Sequence, residues 1–315
     1  MTNGINMAVP PVPGSVFFPV CREDMTERGW AELDFLLVSG DAYVDHPSFG
    51  PAVIARVLES CGYRVGILPQ PDWKSKDAFL AMGRPRLAVL VTAGNLDSML
   101  NKFTASKKNR SDDSYSPGGK SGCRPDRATV AFCSRVKECW KDVPLVIGGV
   151  EASLRRFAHY DYWSDEVRRS VLFDSQADIL VYGMGEKQIK EIAELLDKGV
   201  PAGSIRSVRG TMYRAPSLPE KGRVVEVPSF EEAAAEKVKF AEAFRLQYLE
   251  QDPFHGRTVA QRHGTTFVIQ NPPALPLSEK EMDDVYGLPY TRTYHPMYEK
   301  DGGVPAIKEV RFSLV

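Results

Sequence analysis

LLVSGDAYVDHPSFGPAVIARVLESCGYRVGILPQ, residues Leu36–Gln70, holds a strand, a polar loop, a helix and a second strand in succession. An apolar run ends at Ser39-Gly40. The loop behind it carries Asp41, Tyr43, Asp45, His46 and Ser48, and Pro51 supplies the fixed φ that suits a first helical turn. Val53, Ile54, Val57 and Leu58 then recur at helical spacing, Gly62 stops the helix, and Arg64–Leu68 is again apolar. This is a βαβ unit whose loop sets carboxylates, an imidazole and hydroxyls at the carboxyl end of a buried strand. Open α/β sheets bind ligands in that crevice, so the Asp41–Gly50 loop is the first candidate for function.

The same alternation continues outward from this unit. Apolar runs at Phe35–Val38, Arg64–Leu68, Leu87–Thr92, Leu145–Ile147 and Ile179–Tyr182 are separated by helical patterns at Pro51–Cys61, Ser75–Met82, Ala128–Trp140, Asp165–Leu172 and Glu186–Lys198. Continuous apolar strands alternating with amphipathic helices predict an α/β, doubly wound, mainly parallel five-stranded sheet covered on both faces. We place this domain at residues 21–204, behind an extended, Pro-rich lead-in at 1–20. Residues 205–305 read as a hairpin within Thr211–Pro228, one long helix over Phe230–Gln251, and a Pro-rich connector packed along a neighbouring surface. Residues 306–315 end in KEVRFSLV, Lys308–Val315, which alternates like the first strand of a further domain.

Composition narrows the function classes. The 315 residues are 43% hydrophobic, enough to bury a full core. Forty basic and 41 acidic residues nearly cancel, so no global field draws the chain to nucleic acid or to an anionic membrane. No apolar run reaches spanning length. Cys21, Cys61, Cys123, Cys133 and Cys139 follow neither a zinc nor a disulfide spacing, and reduced, structural cysteines fit a cytoplasmic protein.

Four constellations are candidates for binding or chemistry. In the first loop, Asp41, Asp45 and His46 are a potential acid–base or metal-ligating set with Ser48 beside them, although the same carboxylates also cap backbone amides in ordinary loops. After the third strand, Thr92–Ser98 brings Asn95 and Ser98 to a small-residue turn where a helix start can meet an anion; a capped turn explains the same residues without a ligand. After the fourth strand, Gly148 and Gly149 permit close backbone approach, and Glu151, Arg155, Arg156 and His159 follow within one turn-rich segment. Two adjacent arginines suit bidentate recognition of carboxylate or phosphate, or a surface network with the neighbouring acids. After the fifth strand, Gly185 and Glu186 open a helix, but Gln188 breaks the dinucleotide fingerprint, which argues against NAD or FAD. The polar insertion Phe103–Pro125 reads as a solvated loop or a mobile lid.

Seven blocks also carry a family resemblance: SGDAYVDHPSFG (39–50), QPDW (70–73), TAGNLDSMLNKFTA (92–105), RPDRAT (124–129), GGVEASLRRFAHYDYWSD (148–165), VRRSVLFDSQADILVYGMGE (167–186) and QNPPALPLSEKEMDDVYGLPYTRTYHP (270–296). Together they resemble the N-terminal region of the YgiQ family of radical S-adenosylmethionine (SAM) iron–sulfur proteins. The resemblance implies a cobalamin-binding-like, flavodoxin-like fold that acts as an accessory or substrate-recognition domain. It also implies a radical SAM barrel, in cis or in trans, that opens with Cys-x-x-x-Cys-x-x-Cys and holds a [4Fe–4S] cluster and SAM. No cysteines here stand at those spacings, so this chain alone is expected to carry neither cofactor and to be inactive by itself. Base-off cobalamin domains show Asp-x-His-x-x-Gly after the first strand; Asp45 and Gly50 keep the outer spacing, but Pro47 occupies the histidine position and His46 stands one place early. The alternative is an independent domain that binds a small ligand: corrinoid, nucleotide or metal. A missing barrel also predicts an exposed apolar face around Phe267–Pro276 and Val310–Leu314, open to self-association.

Overall fold

A computed structural model describes residues 16–220 and 222–311. Its centre is a nine-stranded sheet, larger than the five strands expected but of the expected class. In chain order the strands are β1 (Phe35–Ser39), β2 (Val65–Pro69), β3 (Ala88–Thr92), β4 (Leu145–Gly148), β5 (Ile179–Val181), β6 (Thr211–Ala215), β7 (Val224–Val227), β8 (Thr258–His263) and β9 (Thr266–Gln270). They lie in the order β7-β8-β9-β6-β5-β4-β3-β1-β2. The first five are all parallel, with Leu37 of β1 paired to both Ile67 and Leu90. The order 2-1-3-4-5 is that of a flavodoxin-like doubly wound sheet.

Side-chain alternation sorts this sheet into two cores. Leu37, Ile67, Leu90, Val146 and Val181 face α1 (Gly50–Ser60) and α5 (Glu186–Asp197). Leu36, Val38, Val89, Val91, Leu145 and Ile147 face the opposite layer, which includes α3 (Ala128–Cys139). Both faces are covered, which is why these strands are apolar on both faces up to their carboxyl ends, where β1 closes on Ser39 and β3 on Thr92. Two more helices frame the site: α2 (Ser98–Lys102) and α4 (Gly149–Leu154). A last one, α6 (Glu279–Tyr286), starts from a capping box between Ser278 and Glu281.

The second half departs from its sequence reading. The sheet runs straight across the boundary expected at residue 204, because β6 pairs antiparallel with β5. The strands β6 and β7 do not form a hairpin with each other; β9 and β8 lie between them. The supposed connector therefore contributes two strands, β8 and β9, to the sheet, and Val268, Ile269 and Gln270 are fully buried, not exposed. Its prolines punctuate the strand's end, starting at Pro272 and Pro273, and do not interrupt it. The single helix expected over Phe230–Gln251 is broken at Glu236, which is extended. Buried Ala233 and Ala243 would lie about 80° apart around one straight helix, and the break lets each meet the core. Within Asp165–Leu172 the expected helix gives way to Glu166–Arg168, an antiparallel partner of His159–Asp161. Finally, Ile307–Val310 is a short helix where a strand was expected. Ile307 and Val310, three apart, both reach the core from one helical face. Phe312–Val315 lie outside the described residues, as do Met1–Gly14 and Ser15 of the lead-in. No helix among the described residues is long and apolar enough to cross a membrane.

Candidate functional site

The chain leaves β1 toward one face of the sheet and reaches α3, after β3, on the other. Between these departures a crevice opens at the carboxyl ends of the strands. A cleft of about 460 Å³ occupies it. Its walls are Leu37, Leu90, Val146 and Val181 from the sheet, Val53 and Ile54 from α1, Ile189 from α5, and Val285 and Tyr286 from α6. The space exists because side chains are missing from its floor. A Cβ at Gly185 would lie 3.3 Å from Ile54 and 3.4 Å from Val181, closing the gap between α1 and the sheet. At Gly149 the φ of +86° turns β4 into α4, and a Cβ there would come within 2.5 Å of the Thr92 hydroxyl.

The rim is built from buried polar contacts. Arg124 is 2.8 Å from Asp41, donates to both Asp113 oxygens at 3.1 and 3.3 Å, and donates to the Ala93 carbonyl at 3.1 Å. Asp41 in turn accepts from the Asn95 amide at 2.6 Å. The Asn95 side chain donates to the Ser48 carbonyl at 3.0 Å and accepts from the Gly50 amide at 3.3 Å. These contacts lock the loops after β1 and β3 together. Burial raises the Asp41 carboxyl to about 6 against the opposing pull of Arg124. The insertion at residues 103–125 is thus an anchored part of the site: Asp113, Ser116 and Arg124 are buried and Tyr115 lines the cleft.

Of the residues marked as candidates in the sequence, Ser48, Asn95, Gly148, Gly149, Gly185 and Glu186 line this cleft. The others lie elsewhere. Asp41 is beneath the rim. Asp45 pairs with Arg56 inside the fold and accepts from the Thr291 amide at 2.8 Å. His46 accepts from the Ser48 amide at 3.1 Å, and burial, with Arg292 nearby, pulls its imidazole down to about 4. Glu151 accepts from the amides of Ser98, at 2.8 Å, and Thr129, at 3.0 Å, joining the starts of α2 and α3. The adjacent arginines do not form a clamp: Arg155 pairs with Asp97, whereas Arg156 donates to Gln270 at 2.8 Å and lies over the Tyr182 ring. Burial pulls His159 down to about 4, and its Nδ1 is 3.1 Å from the Phe157 carbonyl oxygen. Among the described residues, no three His, Cys, Asp or Glu side chains are grouped to hold a metal ion.

Tyr115, Val285 and Tyr286 were missed in the sequence because they reach the cleft from segments far from any strand end. Arg124 had a signal, in the RPDRAT block, but nothing local names its partners.

A family model described as radical SAM N-terminal matches residues 17–313. A UPF0313 protein of Clostridium botulinum (strain ATCC 19397 / Type A) is 56% identical over 298 residues, which is 95% of this chain and 46% of that protein. A UPF0313 protein of Clostridium perfringens (strain 13 / Type A) is 57% identical over 300 residues, 95% of this chain and 45% of the relative. The chain spans about half the length of the curated relatives it matches.

Proposed function

The chain belongs to the radical SAM N-terminal family, in the UPF0313 or YgiQ group, and from that premise we propose that it is the accessory domain that holds a small molecule for a radical SAM barrel in the longer proteins. The observation that carries this proposal is the cleft itself: about 460 Å³ of mostly apolar, glycine-floored space at the position where doubly wound sheets bind their ligands. On this reading the [4Fe–4S] cluster and SAM are held by the part of the longer protein that this chain does not include. The cysteines here do not fit a cluster. Cys133 is in the core with its thiol pushed far up by burial, Cys139 shares its helix, and Cys21, Cys61 and Cys123 lie on separate segments.

The residues do not fit a base-off corrinoid either, since Pro47 stands where the imidazole ligand would be and His46 is turned into the loop. Nucleotide phosphates are disfavoured because no Lys or Arg is among the described residues lining the cleft. An uncharged or cationic ligand with apolar surface fits best.

Two measurements test the proposal. Titration of the chain with dansylamide, a neutral aromatic fluorophore, should show saturable enhancement that Gly148→Val weakens about tenfold or more. The extended backbone of Gly148, at φ −163°, accepts a β-branched residue, and the new side chain projects into the cleft near Val181. Absence of saturable binding, or binding untouched by the variant, removes the cleft as the ligand site. Anaerobic treatment with iron and sulfide should leave the chain without the visible absorbance of a cluster; a band that depended on its cysteines would overturn the division of labour.

A further inference from the structure

One group in the cleft is out of keeping with its surroundings. Glu186, the first residue of α5, lines the cleft and is only 7% exposed. Its Oε2 is buried with no hydrogen-bond partner. The adjacent Lys187 does not neutralise it, pairing instead with Glu281 at 2.8 Å, and among the described residues Glu186 enters no ion pair. A carboxylate in the first turn of a helix is favourable, but that benefit needs no burial and leaves the orphaned oxygen unexplained. Buried carboxylate oxygens are ordinarily hydrogen-bonded, and one left bare among apolar walls is costly. The lining carries Ser, Thr, Asn and Tyr donors but no Lys or Arg among the described residues, and none of them bonds this oxygen.

We propose that Glu186 is the specificity-determining residue of the cleft, and that the cleft selects ligands with an apolar, aromatic-sized body ending in a protonated amine or another strong N–H donor directed at this carboxylate. The inference rests on the proposal that the cleft holds a ligand. It adds the chemistry of that ligand: the apolar part packs among the cleft's apolar walls, Ile54 and Val181 among them, and the cationic end lies against the one carboxylate that lines the cleft among the described residues. Carboxylates and phosphates are selected against by the same charge.

Three probes with one fluorophore separate these claims: dansylcadaverine, which ends in an ammonium, neutral dansylamide, and dansylglycine, which ends in a carboxylate. The wild-type chain should bind the ammonium probe about tenfold tighter than dansylamide, the scale of one partly desolvated ion pair, and dansylglycine most weakly. Glu186→Gln keeps the shape, so it should retain dansylamide binding and abolish the preference. A role confined to capping α5 would lower the thermal midpoint and leave the ratio of affinities unchanged. Equal binding of the ammonium and neutral probes by the wild type, or a preference that survives Glu186→Gln, overturns the inference while the cleft remains a binding site. Failure of dansylamide itself to bind the wild type overturns both.

Discussion

Arg56 is a charged residue on the apolar face of a helix, one position from Val57, and is 2% exposed. Its guanidinium pairs with fully buried Asp45, donates to the Val16 carbonyl at 2.9 Å and to Glu59 at 2.7 Å, and lies 4.5 Å from the centre of the Phe18 ring. Asp45 was a site candidate because of its place after β1; it is instead a strut that fastens the lead-in, α1 and the segment at Thr291. Removing one partner of such a pair strands a buried charge. Arg56→Met should therefore cost about 3–5 kcal/mol in urea unfolding, and Arg56→Met with Asp45→Leu should recover much of the loss. A single-variant cost below about 1 kcal/mol would mean that Asp45 finds water or another donor. The sequence did contain the clue, an arginine in an apolar stripe. It could not name the partner, since position after a strand looks alike for a ligand-binding carboxylate and a structural one.

At the scale of elements, legibility followed the range of the signal. Strands β1 to β5 were readable because each is an apolar run bounded by a helix pattern, and the crevice at their ends follows from that order. The pair β8–β9 was not, although its sign was local: His263-Gly264-Thr265-Thr266 closes a hairpin through the two-residue loop Gly264-Thr265, with Gly264 at φ +59°. The prolines after Gln270 hid it. Their effect begins one residue after Asn271, so β9 is complete before they act. If β9 is an interior strand, truncating Ile269, fully buried opposite Tyr213 of β6, should cost about 2–4 kcal/mol. A cost within about 0.5 kcal/mol, the range of surface changes, would instead support the exposed connector that the composition suggested. The third wall of the cleft was beyond sequence patterning for a related reason: Tyr115 and Tyr286 are brought there by an anchored insertion and by α6, and nothing periodic links either segment to a strand end.

Across the whole molecule, burial of histidines makes a prediction about acid. His46, His159 and His263 are each pulled by burial from 6.5 to about 4. His263 is the clearest case, stacked on Phe230 with ring centres 5.3 Å apart. Between pH 6.5 and 4 the unfolded chain binds more protons at these positions than the folded one, so stability is lost as pH falls through that window. Asp41 acts in the opposite direction. Its folded value of about 6 lies above 3.8, so the fold gains protons there and is favoured by acid between those values. Asp34, held at about 2 by Arg64 and Arg86 against the cost of burial, matters only below about pH 4, where its protonation removes stability. Burial lowers His295 in the same direction, so four histidines against one aspartate leave a net loss between pH 7 and 5. Partial exposure and relaxation reduce it to about 2 kcal/mol, a fall of several degrees in the thermal midpoint. Thermal unfolding at the two pH values measures it directly, and His263→Gln should flatten the dependence. A midpoint at pH 5 equal to or above that at pH 7 would mean that Asp41 outweighs the histidines, placing the rim of the cleft, with its Asp41–Arg124–Asp113 cluster, as the dominant pH-sensitive element of the fold.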